Sequence, residues 1–236
     1  MRWINTTHRS NAAEIMDDFD MEGEILRDAL DKIAKINQLL GGNKVTIDGV
    51  KVLLKNKSKQ TPIRILDIGC GNGDMLRALA NYAIKNDLNF SLIGIDANNF
   101  TIQHAKQLSL NYPNISFECK NIFENTTEEC DIMLCTLTLH HFKDKEIIQL
   151  LSNIKPLVKV GIIINDLHRN SLAYYLFKAL CFSFNLNDMS REDGLISILR
   201  GFKKADLLAY SIALGAKSFS IKWKWAFRYQ WIINVQ

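Results

Sequence analysis

Three glycines alternate with other residues directly after a short apolar run, in the order Ile65-Leu66-Asp67-Ile68-Gly69-Cys70-Gly71-Asn72-Gly73-Asp74. A buried strand that passes through such a turn into a helix leaves few options. Glycine lets the backbone reverse sharply and lets another group approach it closely. The chain that follows keeps to this plan. Residues 63–68 after Pro62, then 91–95, 115–120, 131–136 and 158–165, read as strands, and helical periodicity fills 74–85, 99–110 and 145–154 between them. Alternation of this kind builds a parallel sheet with helices on both faces. Two runs rich in aromatic and β-branched residues, 217–223 and 226–235, are separated by almost nothing and should pair antiparallel. The expected fold is α/β, a doubly wound and mostly parallel seven-stranded sheet with an antiparallel C-terminal hairpin.

Ahead of the sheet, apolar residues recur at helical spacing over 24–40, and Gly41-Gly42 ends the pattern. A polar, lysine-rich link is expected from there to Pro62. This divides the chain into a helical cap, 1–60, and a main domain, 61–236. Residues 168–214 are helical in pattern and stand between the fifth strand and the hairpin, so they should overhang the carboxyl edge of the sheet. Ligands of open α/β sheets bind at that edge, which makes this insertion a substrate lid.

The apolar share of 47% and charged share of 23% suit a globular chain with a sizeable core. A formal charge of +4, without a concentrated basic face, argues against an obligate nucleic-acid partner. The acids from Glu14 to Asp31 and the lysines 44, 51, 55, 57 and 59 read as solvated faces. Five scattered cysteines without a CxxC pair suit a reducing interior. Met1-Arg2-Trp3-Ile4-Asn5 has no apolar signal core, and no stretch approaches the roughly 18 apolar residues of a membrane span. A cytoplasmic location is the default expectation, and the oligomeric state is not legible.

Two ligand classes compete for the glycine turn. A dinucleotide turn needs a small residue where this chain has Asp74, and it presents a helix N-terminus to a pyrophosphate. Asp67 and Asp74 would set two carboxylates beside that doubly charged bridge. S-adenosylmethionine instead carries an ammonium, a carboxylate and a sulfonium. A carboxylate at Asp67 can neutralise positive charge while the amides of Gly69 and Gly71 approach the methionine carboxylate. A second acid, Asp96, ends the strand Leu92-Ile93-Gly94-Ile95, 23 positions after Gly73. Placed there, it can accept from both ribose hydroxyls.

The order apolar-apolar-Asp-x-Gly-x-Gly-x-Gly resembles the first motif of class I methyltransferases, which implies a Rossmann-like fold and S-adenosylmethionine as cofactor. By that resemblance Asn121 and Ile122 fall where the family has an Asp and an apolar residue that read the adenine. Asn121 departs from the pattern and loses the charge of a carboxylate. Cys70, Asp74, Ala97 and Thr136, at the same strand ends, complete the expected cofactor set. No metal is implied.

For the chemistry, Leu137-Thr138-Leu139-His140-His141-Phe142 follows the fourth strand and is similar to the fourth motif of a subgroup that includes quinone-biosynthesis methyltransferases. A histidine there, His140, can take a proton from a phenol; the alternative is a hydrogen bond to backbone beneath the next helix. Asp166, His168 and Arg169 gather at the end of the fifth strand. An Asp-oriented His168 is a second candidate base, and Arg169 can pair with an acidic substrate group. The aromatic run 171–184, with Tyr174, reads either as a core helix or as an apolar lid. Arg9-Ser10, Met16-Asp17-Asp18, Asn165-Asp166-Leu167-His168-Arg169 and Arg191-Glu192-Asp193-Gly194 resemble bacterial small-molecule O-methyltransferases associated with polyketide and quinone-like products. That resemblance implies methyl transfer to a small, phenolic or quinone-like acceptor, on oxygen. Transfer to carbon or nitrogen, a macromolecular acceptor, and a non-catalytic cofactor-binding protein stay open at this point.

Overall fold

A computed structural model describes residues 4–58, 61–124 and 128–235, so Met1, Arg2, Trp3 and Lys59 lie outside the described residues. The seven strands β1 (Ile63–Ile68), β2 (Phe90–Asp96), β3 (Ile115–Cys119), β4 (Cys130–Thr136), β5 (Val158–Leu167), β6 (Ser218–Lys224) and β7 (Arg228–Asn234) form one sheet. Its order is β3-β2-β1-β4-β5-β7-β6. The first five strands run parallel, and β7 lies antiparallel between β5 and β6. The order reverses between β1 and β4, which opens a crevice at their carboxyl ends.

The strand pattern puts alternate residues on opposite faces, and each face buries its own core. Leu66, Ile68, Met133, Ile162, Ile164 and Trp231 pack with α5 (Asp144–Ile154) and α8 (Lys204–Ala213). On the other face Ile65, Leu92, Ile132, Leu134, Ile163 and Ile232 pack with α2 (Gly42–Leu54), α3 (Asp74–Asn86) and α4 (Asn99–Leu108). Because both faces are covered, the central strands are near-continuous apolar runs rather than alternating ones.

The expected lysine-rich link is in fact α2. Its lysines face out, while Gly42, Val45, Thr46, Gly49 and Val50 are buried. A Cβ at Gly49 would come within 2.9 Å of Ile163 Cγ2, so the missing side chain is what lets this helix lie flat on the sheet. Gly41, with φ 75°, both ends α1 (Glu24–Leu39) and caps α2. Of the three helices in 168–214, α8 covers the sheet. Only α6 (Ser171–Ser183) and α7 (Asp188–Arg200) overhang the crevice, together with α1. Among the described residues no helix is long and apolar enough to cross a membrane.

Residues 8–22 form a strap over the same crevice. Ser10 N–H donates to Leu199 O at 3.0 Å. The amides of Ile15 and Met16 donate to the buried Asp193 carboxylate at 2.7 and 3.0 Å. Asn98 donates to the carbonyls of Phe19 and Met21 at 2.9 and 2.7 Å.

Candidate active site

The crevice is a cavity of about 640 Å³, a size suited to a small-molecule ligand. At its β1 end the chain turns through Gly69, Gly71 and Gly73, all with positive φ. The turn is stitched to β2 by the amides of Gly69 and Cys70, which donate to Ile95 O at 2.8 and 3.0 Å. A Cβ at Gly69 would fall 2.3 Å from Thr138 Cγ2. Only glycine fits there. Asp96 Oδ2 accepts from Gly71 N–H and Oδ1 from Asn98 N–H, each at 3.1 Å, which leaves each oxygen a lone pair for a further donor.

Asp67 is 1% exposed and its Oδ1 has no hydrogen-bond partner. Burial, reinforced by the neighbouring Asp74 and Asp96, pushes its pKa up to about 8. Such an orphaned oxygen calls for a cationic partner. The expected cofactor residues Asp67, Gly69, Cys70, Gly71, Asp74, Asp96, Ala97, Asn121, Ile122 and Thr136 all line the one cavity. Asn121 differs in detail from its expected role. Its Oδ1 accepts from Phe123 N–H at 3.1 Å and its Nδ2 donates to Glu124 at 3.3 Å, so both polar ends already serve the local turn. A ligand with an ammonium group and paired ribose hydroxyls fits the free acceptors of Asp67 and Asp96.

At the other end, His140 is 3% exposed and sits on the 3₁₀ turn Leu139–His141 after β4. Its Nδ1 lies 2.7 Å from Asp166 Oδ1, and its backbone N–H donates to Asp166 Oδ2 at 3.2 Å. Burial alone would raise the Asp166 pKa, but the hydrogen bond from the His140 imidazole, and its charge once protonated, hold it low. An ionised carboxylate only accepts. The imidazole is therefore fixed with Nδ1–H towards Asp166 and Nε2 towards Glu14 Oε1, 3.9 Å away. Asp166 orients His140 and not His168.

His168 also lines the cavity, with Trp223 Nε1–H donating to its Nδ1 at 3.2 Å. Since indole can only donate, the neutral ring carries its hydrogen on Nε2. Burial, with Lys203 and Arg169 nearby, lowers its pKa and keeps it neutral.

Two expected substrate residues are absent from the cavity wall. The buried Arg169 guanidinium is used up by Thr6 O, Thr7 O, Gly201 O and Asp206, and so ties the segment just ahead of the strap to the end of β5. Tyr174 packs its ring on Tyr175, and α6 instead presents Ala173, Leu176, Phe177 and Leu180 to the cavity.

Several cavity residues carry no site role in the sequence reading, although Asp17 falls in the segment Met16-Asp17-Asp18 quoted for the family resemblance. Glu14 belongs to the acidic run expected to form a solvated face, yet it is only 5% exposed. Its Oε2 accepts from Ser197 Oγ at 2.7 Å, its Oε1 is without a hydrogen bond, and burial raises its pKa. Asp17 is bonded by His141 Nδ1 and Arg200 Nη1, both at 2.6 Å, which hold its pKa low despite partial burial. Arg9 and Arg200 clamp the histidine turn through the carbonyls of His140, His141 and Phe142. Glu14, His140 and His141 place donor atoms within 4.8 Å of one another, a spacing a metal ion can use. Arg200 Nη1, 3.5 Å from Glu14 Oε1, already sets a positive charge there. No sequence spacing links Glu14 to a histidine 126 positions later; only the acid itself was visible.

A methyltransferase domain model matches residues 59–206. Ubiquinone biosynthesis O-methyltransferase of Coxiella burnetii is 31% identical over 137 residues, 55% of this chain and 54% of that protein. The chain thus spans about half the length of the curated relatives it matches. Among solved structures, the plantazolicin methyltransferase BpumL in complex with SAH superposes with a TM-score of 0.66 at 17% identity, over 87% of this chain and 88% of that one. Magnesium protoporphyrin IX methyltransferase of Synechocystis PCC 6803 with bound SAM superposes at 0.56 and 16% identity, over 93% and 88%. These two likenesses are of fold. With its glycine turn and strand-end acids inside a match that spans more than half of its length, the chain belongs to the methyltransferase domain family, whose cofactor is S-adenosylmethionine.

Proposed function

We propose that this protein transfers a methyl group from S-adenosylmethionine to an oxygen of a small phenolic or quinone-like acceptor, with His140 as the general base. The observation that carries this reading is the Asp166–His140 pair, buried and opening into the same cavity as Asp67 and Asp96. When bound, the cofactor supplies an electrophilic methyl group on a sulfonium. The protein's part is to hold the acceptor in line, to exclude water and to move one proton. Asp166 keeps Nδ1 protonated, so Nε2 is the lone pair that can take the hydroxyl proton, and the ionised Asp166 stabilises the resulting imidazolium. His168 serves as a neutral donor through Nε2. Leu30, Ile33, Leu176, Phe177 and Phe227 supply apolar wall suited to a ring. The similarity to a ubiquinone biosynthesis O-methyltransferase supports an oxygen acceptor of this class.

The test is transfer from methyl-labelled cofactor to a panel of phenols, catechols and hydroxyquinones. His140→Gln should lower kcat on the order of 100-fold or more with little change in cofactor affinity. Asp166→Asn, acting through His140, should lower kcat less and displace the pH–rate profile. Transfer only to RNA or protein would sink the small-molecule reading. Tight cofactor binding with no transfer to any acceptor would favour a non-catalytic binding protein.

A further inference from the structure

Arg228 opens β7 opposite Leu167 of β5. Its side chain lines the cavity, only 4% of the residue is exposed, and neither Nε nor Nη1 meets an acceptor. Guanidinium groups are rarely buried without a partner, because removing the charge from water must be offset by a counter-charge and hydrogen bonds. The equally buried Arg169 and Arg200 obey this rule, each bonded to carbonyls and to a carboxylate. Arg228 does not. Asp166 and Asp74 act on it through space, but the first is bonded to His140 and to Leu167 N–H, and the second to Asn43 Nδ2. Burial lowers the guanidinium pKa only to about 10, so the charge is present at neutral pH.

The same cavity holds unpartnered acceptors, Glu14 Oε1, Asn37 Oδ1 and Asp67 Oδ1, and the last of these stands at the glycine turn. An orphaned acceptor and an orphaned cation facing one cavity match a zwitterion. We infer that Arg228 binds the carboxylate of the methionine moiety of the cofactor, a task the sequence alone would leave to the glycine amides. The planar fork suits a carboxylate with two parallel bonds, which an ammonium cannot provide. This inference rests on the cofactor reading above, and it leaves the acceptor free of any need for an acidic group.

Calorimetry with two ligands separates the possibilities: S-adenosylhomocysteine, and 5′-methylthioadenosine, which shares the adenosyl thioether but lacks the amino-acid end. Arg228→Met should lose affinity for S-adenosylhomocysteine on the order of 10- to 100-fold, with 5′-methylthioadenosine binding as to the wild type. Arg228→Lys should recover part of the loss. The ligand-free Arg228→Met protein should melt no lower than the wild type, since it sheds an uncompensated charge. Equal losses for both ligands, or a lower Tm without ligand, would assign Arg228 to the fold and overturn the inference. Unchanged S-adenosylhomocysteine binding with a raised KM for a carboxylate-bearing acceptor would overturn it in favour of the acceptor. If the wild type bound neither ligand, the cofactor reading itself would fall.

Discussion

Replacing Asp67 by Asn should make the ligand-free protein more stable at alkaline pH and a poorer binder of its cofactor. The pKa of Asp67 rises from 3.8 to about 8 on folding, first because the carboxyl is fully buried and second because Asp74 and Asp96 repel its charge. Between those values the folded chain holds a proton that the unfolded chain has released. The contribution of this group is thus fully present below about pH 4 and is lost as pH rises towards 8. At roughly 1.4 kcal/mol per unit, the loss between pH 5.5 and 8 is about 3 kcal/mol. Asn keeps the shape without the titration. Urea denaturation of both proteins at pH 5.5 and 8 should show the advantage of Asp67→Asn growing by an amount of that order. The wild type should also release a proton when it binds S-adenosylhomocysteine near pH 7, visible as a dependence of the calorimetric enthalpy on the buffer, and the variant should not. Parallel stability curves for the two proteins would refute the reasoning.

Asp96→Ala should weaken S-adenosylhomocysteine binding by about 1 to 3 kcal/mol in calorimetry, because ribose hydroxyls would be stranded in a closed site. Unchanged binding would remove Asp96 from the cofactor site. Arg169→Ala should lower stability by about 3 to 5 kcal/mol, since it leaves three backbone carbonyls without their donor and Asp206 with only the Lys203 N–H. Chemical denaturation reads this directly, and a stable variant with a raised acceptor KM would return Arg169 to the substrate.

The sheet was legible because its strands are buried on both faces and its helices carry one apolar stripe each, so local pattern and final environment agree. The helix α2 was hidden by its own packing. The small and polar residues Gly42, Thr46 and Gly49 that allow close contact with the sheet are poor helix formers, and the lysines between them read as solvent. The cofactor end was legible for a related reason: Asp67, the glycines and Asp96 lie on two adjacent strands and the turn between sheet and helix. At the acceptor end, pattern failed. Asp166 chose His140 over His168, which is nearer in sequence, because β4 and β5 are neighbours and their carboxyl ends meet in space. Arg169 looked like a ligand and is a tie; Arg228, on the hairpin, sat in a strand with no signal beyond its charge.

The strap bonds to α7 across 178 and 183 positions of sequence, through Ile15 to Asp193 and Glu14 to Ser197. Contacts so distant in sequence carry a larger loop-closure cost than contacts between neighbouring elements. The wall of the cavity is therefore of two kinds: a glycine turn with its strand-end acids, set by local sequence, and a strap side completed only when residues far apart in the chain meet. Glu14 and Asp17 lie outside the stretch shared with the family, 59–206. Substitutions in the strap can thus reshape that side of the cavity without altering the glycine turn itself.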